Sequence, residues 1–472
     1  MNCRHIILVT LSSLCLAACN NEAKFSVSTS ESVDTNIYHT TPLGDAFSYM
    51  SADTLRVYAG GGKTVFRAEF DSPLPVYLRT DDGRSCYIIA EKGGEYEILL
   101  DKDKISIQGK KAQTLYNALP APAFITQEAQ KHRSITSARN LMELTGSMLQ
   151  RELQPLDSLR QRAELSRAAY NHIRMEREIF WRAVRANVAY LHFTDKGELD
   201  EEDKKMWKSA FDGLNMADKA LCRTLWFFEL AESYAEYLMF TSPDMHMSEL
   251  LRQASEGKLN TLYYNIYTEK FKGHNLEYIS ARKLYNAALQ RNYEKELIEI
   301  YADFSKRFPD SPYHRLLRPM IGEIEEYHNA SRSNEKVTIL DNYLSINSFE
   351  ELIGKFQGKK LYIDIWATWC GPCKDEFKHN EKLRKLLEEE GYELLYISID
   401  DDKRARNWEQ MIFAYDLEGS HIRAGEQLHK QLFEIYGSQR LSIPWYMIVN
   451  ENGEIKDLHA PRPGRLRSEN LK

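Results

Sequence analysis

Cysteine is scarce in this 472-residue chain. Seven are present, at positions 3, 15, 19, 86, 222, 370 and 373, too few for an exported fold of this size to depend on disulfides. No second C-x-x-C accompanies Cys370 and Cys373, and the chain has no C-x-x-H or H-x-x-H, so the second ligand pair of a zinc site is missing and no metal is expected. An excess of either charge is lacking too. The 62 basic and 69 acidic residues are well mixed and leave a net charge of -7, a soluble surface without the basic footprint of a nucleic-acid binder. After the first sixteen residues no apolar run approaches a membrane span. No repeat period emerges, which disfavours a solenoid.

What is present is enough apolar residue, 43%, to bury real cores, and a length that predicts two or three domains. Arg4 and His5 precede the apolar run Ile6 to Leu16, so residues 1–18 read as a targeting signal, too short to span as a mature helix. The run ends in Leu16-Ala17-Ala18-Cys19, which resembles the lipobox of bacterial lipoproteins. That resemblance implies cleavage before Cys19 and a lipid anchor on it; an ordinary secretory signal cut near Ala18 is the alternative. Residues 19–36 are polar and rich in Ser, Thr and Asn, and read as a lipid-anchored linker.

From 37 to 110 the pattern is β. Thr54–Tyr58, Thr64–Phe70, Leu74–Leu78, Cys86–Ala90 and Glu95–Leu100 alternate or run apolar between glycine-marked turns, the signature of a small antiparallel sandwich. Gly60-Gly-Gly-Lys-Thr64 imitates a phosphate loop, but Val57 stands where that motif needs glycine. From 111 to 330 the chain reads as all-helical, with Leu156–Thr194 and Ala217–Thr241 free of Gly and Pro and apolar residues at three- and four-residue steps. The segment 335–472 alternates strands and helices. The expected fold is thus multidomain: an N-terminal all-β sandwich, a central all-α domain and a C-terminal α/β module.

That module centres on Leu361-Tyr-Ile-Asp-Ile-Trp-Ala-Thr-Trp-Cys-Gly-Pro-Cys-Lys-Asp-Glu376. A buried strand to Trp366 breaks at a turn, and a helical segment, Lys374 to Glu390, follows. Cys370 and Cys373 sit at the helix N-terminus, where unpaired N–H groups and the dipole favour thiolate, and Pro372 suits the first helical turn. A strand, a turn, two cysteines one turn apart and a helix are what a redox dithiol needs. A purely structural bridge this short would be a poor staple.

The W-A-T-W-C-G-P-C-K stretch resembles the thioredoxin superfamily, and within it the membrane-anchored, extracytoplasmic thiol reductases of the TlpA/ResA kind. The resemblance covers about the last third of the chain. It implies an attacking Cys370, a resolving Cys373, and a substrate groove formed by Trp369, Gly371, Pro372, Ile443 and a cis Pro444. Trp366, Trp369 and Trp445 would ring the dithiol. Asp364, a carboxylate inside an apolar strand, is costly unless used or paired, and the family keeps an aspartate there to move the proton of the resolving thiol; a side chain reaching the sheet end and water is the alternative. Glu376 matches an acidic position of the ResA-like reductases; an ordinary first-turn acid is the alternative. Lys378 stands where thioredoxins carry a kinking proline, which predicts a straighter helix. His421 and His429 read as a solvated helix face.

The expected function is a membrane-anchored extracytoplasmic thiol–disulfide oxidoreductase that reduces disulfide-containing proteins, with no cofactor beyond its own dithiol and with a membrane electron donor as partner. A disulfide oxidase or isomerase would carry the same residues. A binding or scaffold lipoprotein with a vestigial or regulatory module is the rival from another class. The expected location is the envelope of a Gram-negative bacterium, anchored in the inner or outer membrane and facing the periplasm; Asn20 leans toward the outer membrane.

Overall fold

The computed structural model describes residues 22–472 except positions 33, 41–42, 44–45, 47–49, 51, 61, 70–71, 110–113, 117–118, 120–123, 243–248, 251, 254–255, 330–333 and 438–440. The signal 1–18 and the lipobox Cys19 lie outside the described residues.

Eight strands open the fold: β1 (Glu22–Thr29), β2 (Thr35–Thr40), β3 (Ala52–Val57), β4 (Thr64–Glu69), β5 (Leu74–Thr80), β6 (Ser85–Ala90), β7 (Glu95–Asp101) and β8 (Lys104–Gln108). They form two four-stranded sheets, ordered β4-β1-β7-β8 and β3-β2-β5-β6. Period-two alternation writes them. In β1, Ala23, Phe25 and Val27 are buried while Lys24, Ser26 and Ser28 are half-buried. Phe25 stacks on Phe66 at 4.5 Å, and His39 of the other sheet lies on Phe66 at 3.8 Å, so the sheets share one core.

Two expectations are corrected here. The stretch read as a linker contains β1 and the start of β2; its Ser and Thr content concealed the alternation of Ala23, Phe25 and Val27. The sandwich is not purely antiparallel either, because β1 pairs with β7 in parallel.

Helices follow: α1 (Ile125–His132), α2 (Ala138–Gln161), α3 (Arg167–Lys196), α4 (Glu201–Lys208), α5 (Phe227–Thr241), α6 (Leu259–Lys270), α7 (Gly273–Leu289), α8 (Glu296–Arg307) and α9 (His314–Asn329). Ser137 and Ser166 cap α2 and α3 by accepting the N–H groups of Asn140 and Ala169. Leu153, Leu156 and Leu159 of α2 share a core with Ile173 of α3 and with Tyr87 and Ile89 of β6. The sandwich and these helices are therefore one packed body. No described helix is long and apolar enough to cross a membrane.

The chain divides into two compact units. One is the described residues through Arg282 with Phe308–Leu316; the other is Lys283–Arg307 with Leu317–Lys472. The division expected between 330 and 335 is thus displaced: α8 and most of α9 belong with the C-terminal fold.

In that second unit come β9 (Val337–Ile339), α10 (Phe349–Gly354), β10 (Lys360–Trp366), α11 (Gly371–Glu376), α12 (Asn380–Glu390), β11 (Tyr392–Ser398), α13 (Ala405–Ala414), β12 (Gly419–Arg423), α14 (Glu426–Tyr436), β13 (Trp445–Val449), β14 (Ile455–Asp457) and α15 (Ser468–Leu471). The sheet order is β14-β13-β10-β11-β12-β9. Central β10 runs parallel to β11 and antiparallel to β13. Leu361, Ile363 and Ile365 enter a core with Leu395, Ile397 and Met447, and alternation sends Tyr362, Asp364 and Trp366 to the opposite face.

Candidate active site

The site grows from the C-terminal end of β10. Thr368 is pinned there: its N–H donates to Asp400 Oδ2 at 2.8 Å and its hydroxyl to Oδ1 at 2.7 Å. The turn ends on Cys370, which caps α11; Cys370 Sγ accepts the Cys373 N–H at 3.1 Å, and Pro372 occupies the first helical turn. A thiolate in that position meets the positive end of the helix. Cys370 and Cys373 form a disulfide, with Cα atoms 5.3 Å apart. Cys370 is 4% exposed and Cys373 0%, so any approach must come to Cys370. Trp369 beside it is exposed. The Ile443–Pro444 peptide, just before β13, is cis.

Asp364 is fully buried, and neither carboxylate oxygen has a hydrogen-bond partner among the described residues. Strand register places it between Tyr396 of β11 and Tyr446 of β13. Burial, and secondly the charge of Glu376, hold its pKa well above the ordinary carboxylate range. A carboxyl with no hydrogen-bond partner among the described residues and a raised pKa inside this fold is suited to handling a proton. Glu376 stands close enough for its charge to act on Asp364. It accepts the Gly464 N–H at 3.2 Å and faces Arg462 at 3.7 Å.

The helix expected from 374 to 390 is broken. A 3₁₀ turn, Phe377–His379, separates α11 from α12, so the straight helix predicted from Lys378 is corrected. Packing supplies the break without proline: Phe377 turns inward against Trp366 at 5.3 Å, and buried Asn380 donates to the Tyr396 hydroxyl at 3.2 Å.

Two further expectations fail. Trp366 and Trp445 are core residues, 0% and 3% exposed, and Trp445 Nε1 donates to the Leu458 carbonyl at 2.6 Å; among the three tryptophans only Trp369 offers surface. His421 is not on a solvated helix but in β12, stacked on Tyr396 at 4.7 Å, with Nε2 bonded to the Leu417 carbonyl at 2.7 Å. Burial lowers its pKa to about 4. The described residues hold no cluster suited to a metal ion.

Sequence reasoning missed Lys374. Its side chain is buried, and its ammonium donates to the carbonyls of Thr368, Arg291 and Gln290. A lysine in a first helical turn gives no local signal of such burial.

A redox disulfide at a helix N-terminus, on the central strand of a mixed sheet flanked by helices, defines a thiol–disulfide exchange module of the thioredoxin type. The Redoxin family model matches residues 351–469. ResA, a thiol-disulfide oxidoreductase of Oceanobacillus iheyensis, is 31% identical over 108 residues, which are 22% of this chain and 52% of that protein. The thioredoxin-like protein YneN of Bacillus subtilis is 27% identical over 112 residues, 22% of this chain and 58% of its own. Among solved structures, the thioredoxin domain of a thiol-disulfide oxidoreductase from Bacteroides vulgatus aligns with a TM-score of 0.21 and 21% identity, covering 25% of this chain and 78% of that one. The chain spans about half the length of the curated relatives it matches. Its C-terminal third is a thioredoxin/redoxin-superfamily, ResA-like thiol–disulfide domain.

The curated relatives also correct the expected location. They come from Oceanobacillus, Geobacillus, Halalkalibacterium and Bacillus, Gram-positive genera whose cytoplasmic membrane faces no periplasm, which overturns the placement in a Gram-negative envelope.

Proposed function

We propose that this protein is a membrane-anchored, extracytoplasmic thiol–disulfide oxidoreductase that reduces disulfides in other proteins. The observation that carries the reading is the Cys370–Cys373 pair, with Cys370 Sγ held at the N-terminus of α11 and Cys373 buried behind it. In the reduced form Cys370 thiolate attacks a substrate sulfur, forming a mixed disulfide and releasing one substrate thiolate, which takes up a proton. Asp364, in its ionised form, accepts the proton of Cys373, and half-buried Glu376 passes it toward water, which restores the carboxylate. Cys373 thiolate then attacks Cys370 Sγ, and the second substrate thiolate leaves. Two electrons have moved to the substrate, and the protein is left as the disulfide. A membrane dithiol donor returns them.

Trp369, Gly371, Pro372, Ile443 and Pro444 form the surface that receives substrate, and lipid on Cys19 is the anchor. The ResA relatives, named as thiol-disulfide oxidoreductases, support this reading, and the Gly371-Pro372 dipeptide favours the reducing direction. Insulin reduction by the full chain with a dithiol donor tests it. Turnover that is lost in Cys370→Ser is expected; no turnover would leave a partner-binding protein with an inert module.

A further inference from the structure

Lys374 is misplaced for an ordinary lysine. It directly follows Cys373, yet its side chain is 0% exposed. Its ammonium donates to the carbonyls of Thr368 at 2.8 Å, Arg291 at 2.8 Å and Gln290 at 3.4 Å, which occupies its three N–H groups. No ion pair of the described residues involves it, so the charge is held by neutral dipoles. The Thr368 carbonyl belongs to the turn that delivers Trp369 and Cys370. The other two belong to the segment just after α7, outside the Redoxin match of 351–469.

That segment is itself tightly determined. Arg291 and Tyr293 have φ of 50° and 55°, a left-handed backbone that these side chains adopt only when neighbours impose it. Tyr293 stacks on Tyr327 of α9 at 4.4 Å, donates to Glu323 at 2.6 Å and meets the Tyr415 hydroxyl. The Arg291 guanidinium reaches Asp375, the residue after Lys374, at 2.7 Å. Two consecutive residues of the redox helix therefore grip one two-residue stretch of a different element, one from inside the protein and one from its surface.

We infer that Lys374 is a positioning residue for disulfide exchange: it ties the Thr368–Cys370 turn to the Gln290–Arg291 segment and keeps a positive charge one hydrogen bond from the turn that carries the attacking sulfur. The inference rests on the oxidoreductase reading above. A cation there stabilises the thiolate over the thiol. Burial first, then Arg291 and Arg404, bring the Lys374 pKa down to about 8, against the opposing pull of Glu323 and Asp400. The ammonium is thus present through neutral pH and lost in mild alkali. The segment Lys283–Arg307 becomes part of the redox machinery, because the carbonyls of Gln290 and Arg291 that hold the charge lie in it, between α7 and α8.

The test is the pH profile of iodoacetamide alkylation of Cys370 in the reduced full-length chain, with insulin turnover measured in parallel. Lys374→Met should move the profile upward, slowing alkylation about tenfold below the midpoint, the equivalent of one pH unit. Lys374→Arg keeps the charge and should recover most of that rate. Arg291→Met removes the outer strut and leaves Lys374 in place; read below pH 7, where Lys374 is an ammonium with or without Arg291, it should slow alkylation by about two- to threefold, and it serves if Lys374→Met does not fold. A profile unchanged in folded Lys374→Met and in Arg291→Met, or Lys374→Arg as slow as Lys374→Met, would overturn the inference while normal wild-type turnover leaves the oxidoreductase reading standing. Wild-type protein that alkylates normally but reduces no insulin would remove that reading and the role of Lys374 with it.

Discussion

Asp364→Asn should stabilise the C-terminal unit, and by an amount that grows with pH. In the unfolded chain this carboxyl titrates near the ordinary value of 3.8, whereas in the fold its pKa stands well above that. A raised carboxylate pKa reverses the usual sign. The group costs nothing below its unfolded pKa, and its cost rises with pH until the folded pKa is passed. While the folded side chain stays protonated and the unfolded one is ionised, each pH unit costs about 1.4 kcal/mol. As pH rises from the unfolded pKa toward the folded one, the wild type should therefore lose stability relative to Asp364→Asn at about 1.4 kcal/mol per pH unit. Removing a buried carboxylate that has no partner for either oxygen adds no compensating loss of a hydrogen bond. Hydrogen exchange of the Leu361–Trp366 amides, compared at matched pH in the oxidised full-length proteins, reads the opening free energy of this unit alone. The variant should also turn over more slowly, because the Cys373 proton loses its acceptor. A stability difference that is constant across the pH range, or a variant less stable at pH 6.5, would refute the reasoning.

Two other perturbations test the frame around the site. Gly419 has φ of +141°, and a Cβ there would lie 2.7 Å from the Leu394 carbonyl oxygen; Gly419→Ala should cost about 2–4 kcal/mol, read from faster exchange in β11 and β12, and a cost below about 0.5 kcal/mol would show that the strand simply shifts. Glu376→Gln removes the like charge that helps raise Asp364, so the Asp364 titration followed by carbon NMR should move down; an unchanged titration would mean that burial acts alone.

The legible parts of this chain were those whose burial pattern is local. Leu361–Trp366 is apolar on both faces because β10 is central, and no neighbour was needed to see it. The cysteines stood out by type and spacing, and Asp364 by being a carboxylate in an apolar run. What stayed hidden depends on distant partners. Strand β12 reads Gly-Ser-His-Ile-Arg, yet His421 and Arg423 are buried by stacking on Tyr396 and by pairing with Asp402, so the helix face read at His421 had no local signal against it. The break at Phe377 lacks its usual proline because an aromatic contact makes it. Assignment of α8 and α9 to the C-terminal unit follows from contacts such as His328 with the Tyr293 carbonyl at 2.8 Å and Gln410 with the Tyr327 carbonyl at 3.3 Å. Neither has a sequence signature, and Lys374 was overlooked for the same reason.

The central claim is that Cys370 attacks substrate disulfides and Cys373 resolves the bond. Cys373→Ser, expressed in cells as the full chain, removes the resolver and keeps the nucleophile. Its free thiolate should then accumulate as mixed disulfides with partner proteins, seen as high-mass species on non-reducing gels. Those species should collapse on reduction and be absent from Cys370→Ser. If Cys373→Ser traps nothing above background while a partner still co-purifies without a covalent link, the account is wrong and the chain is a binding protein.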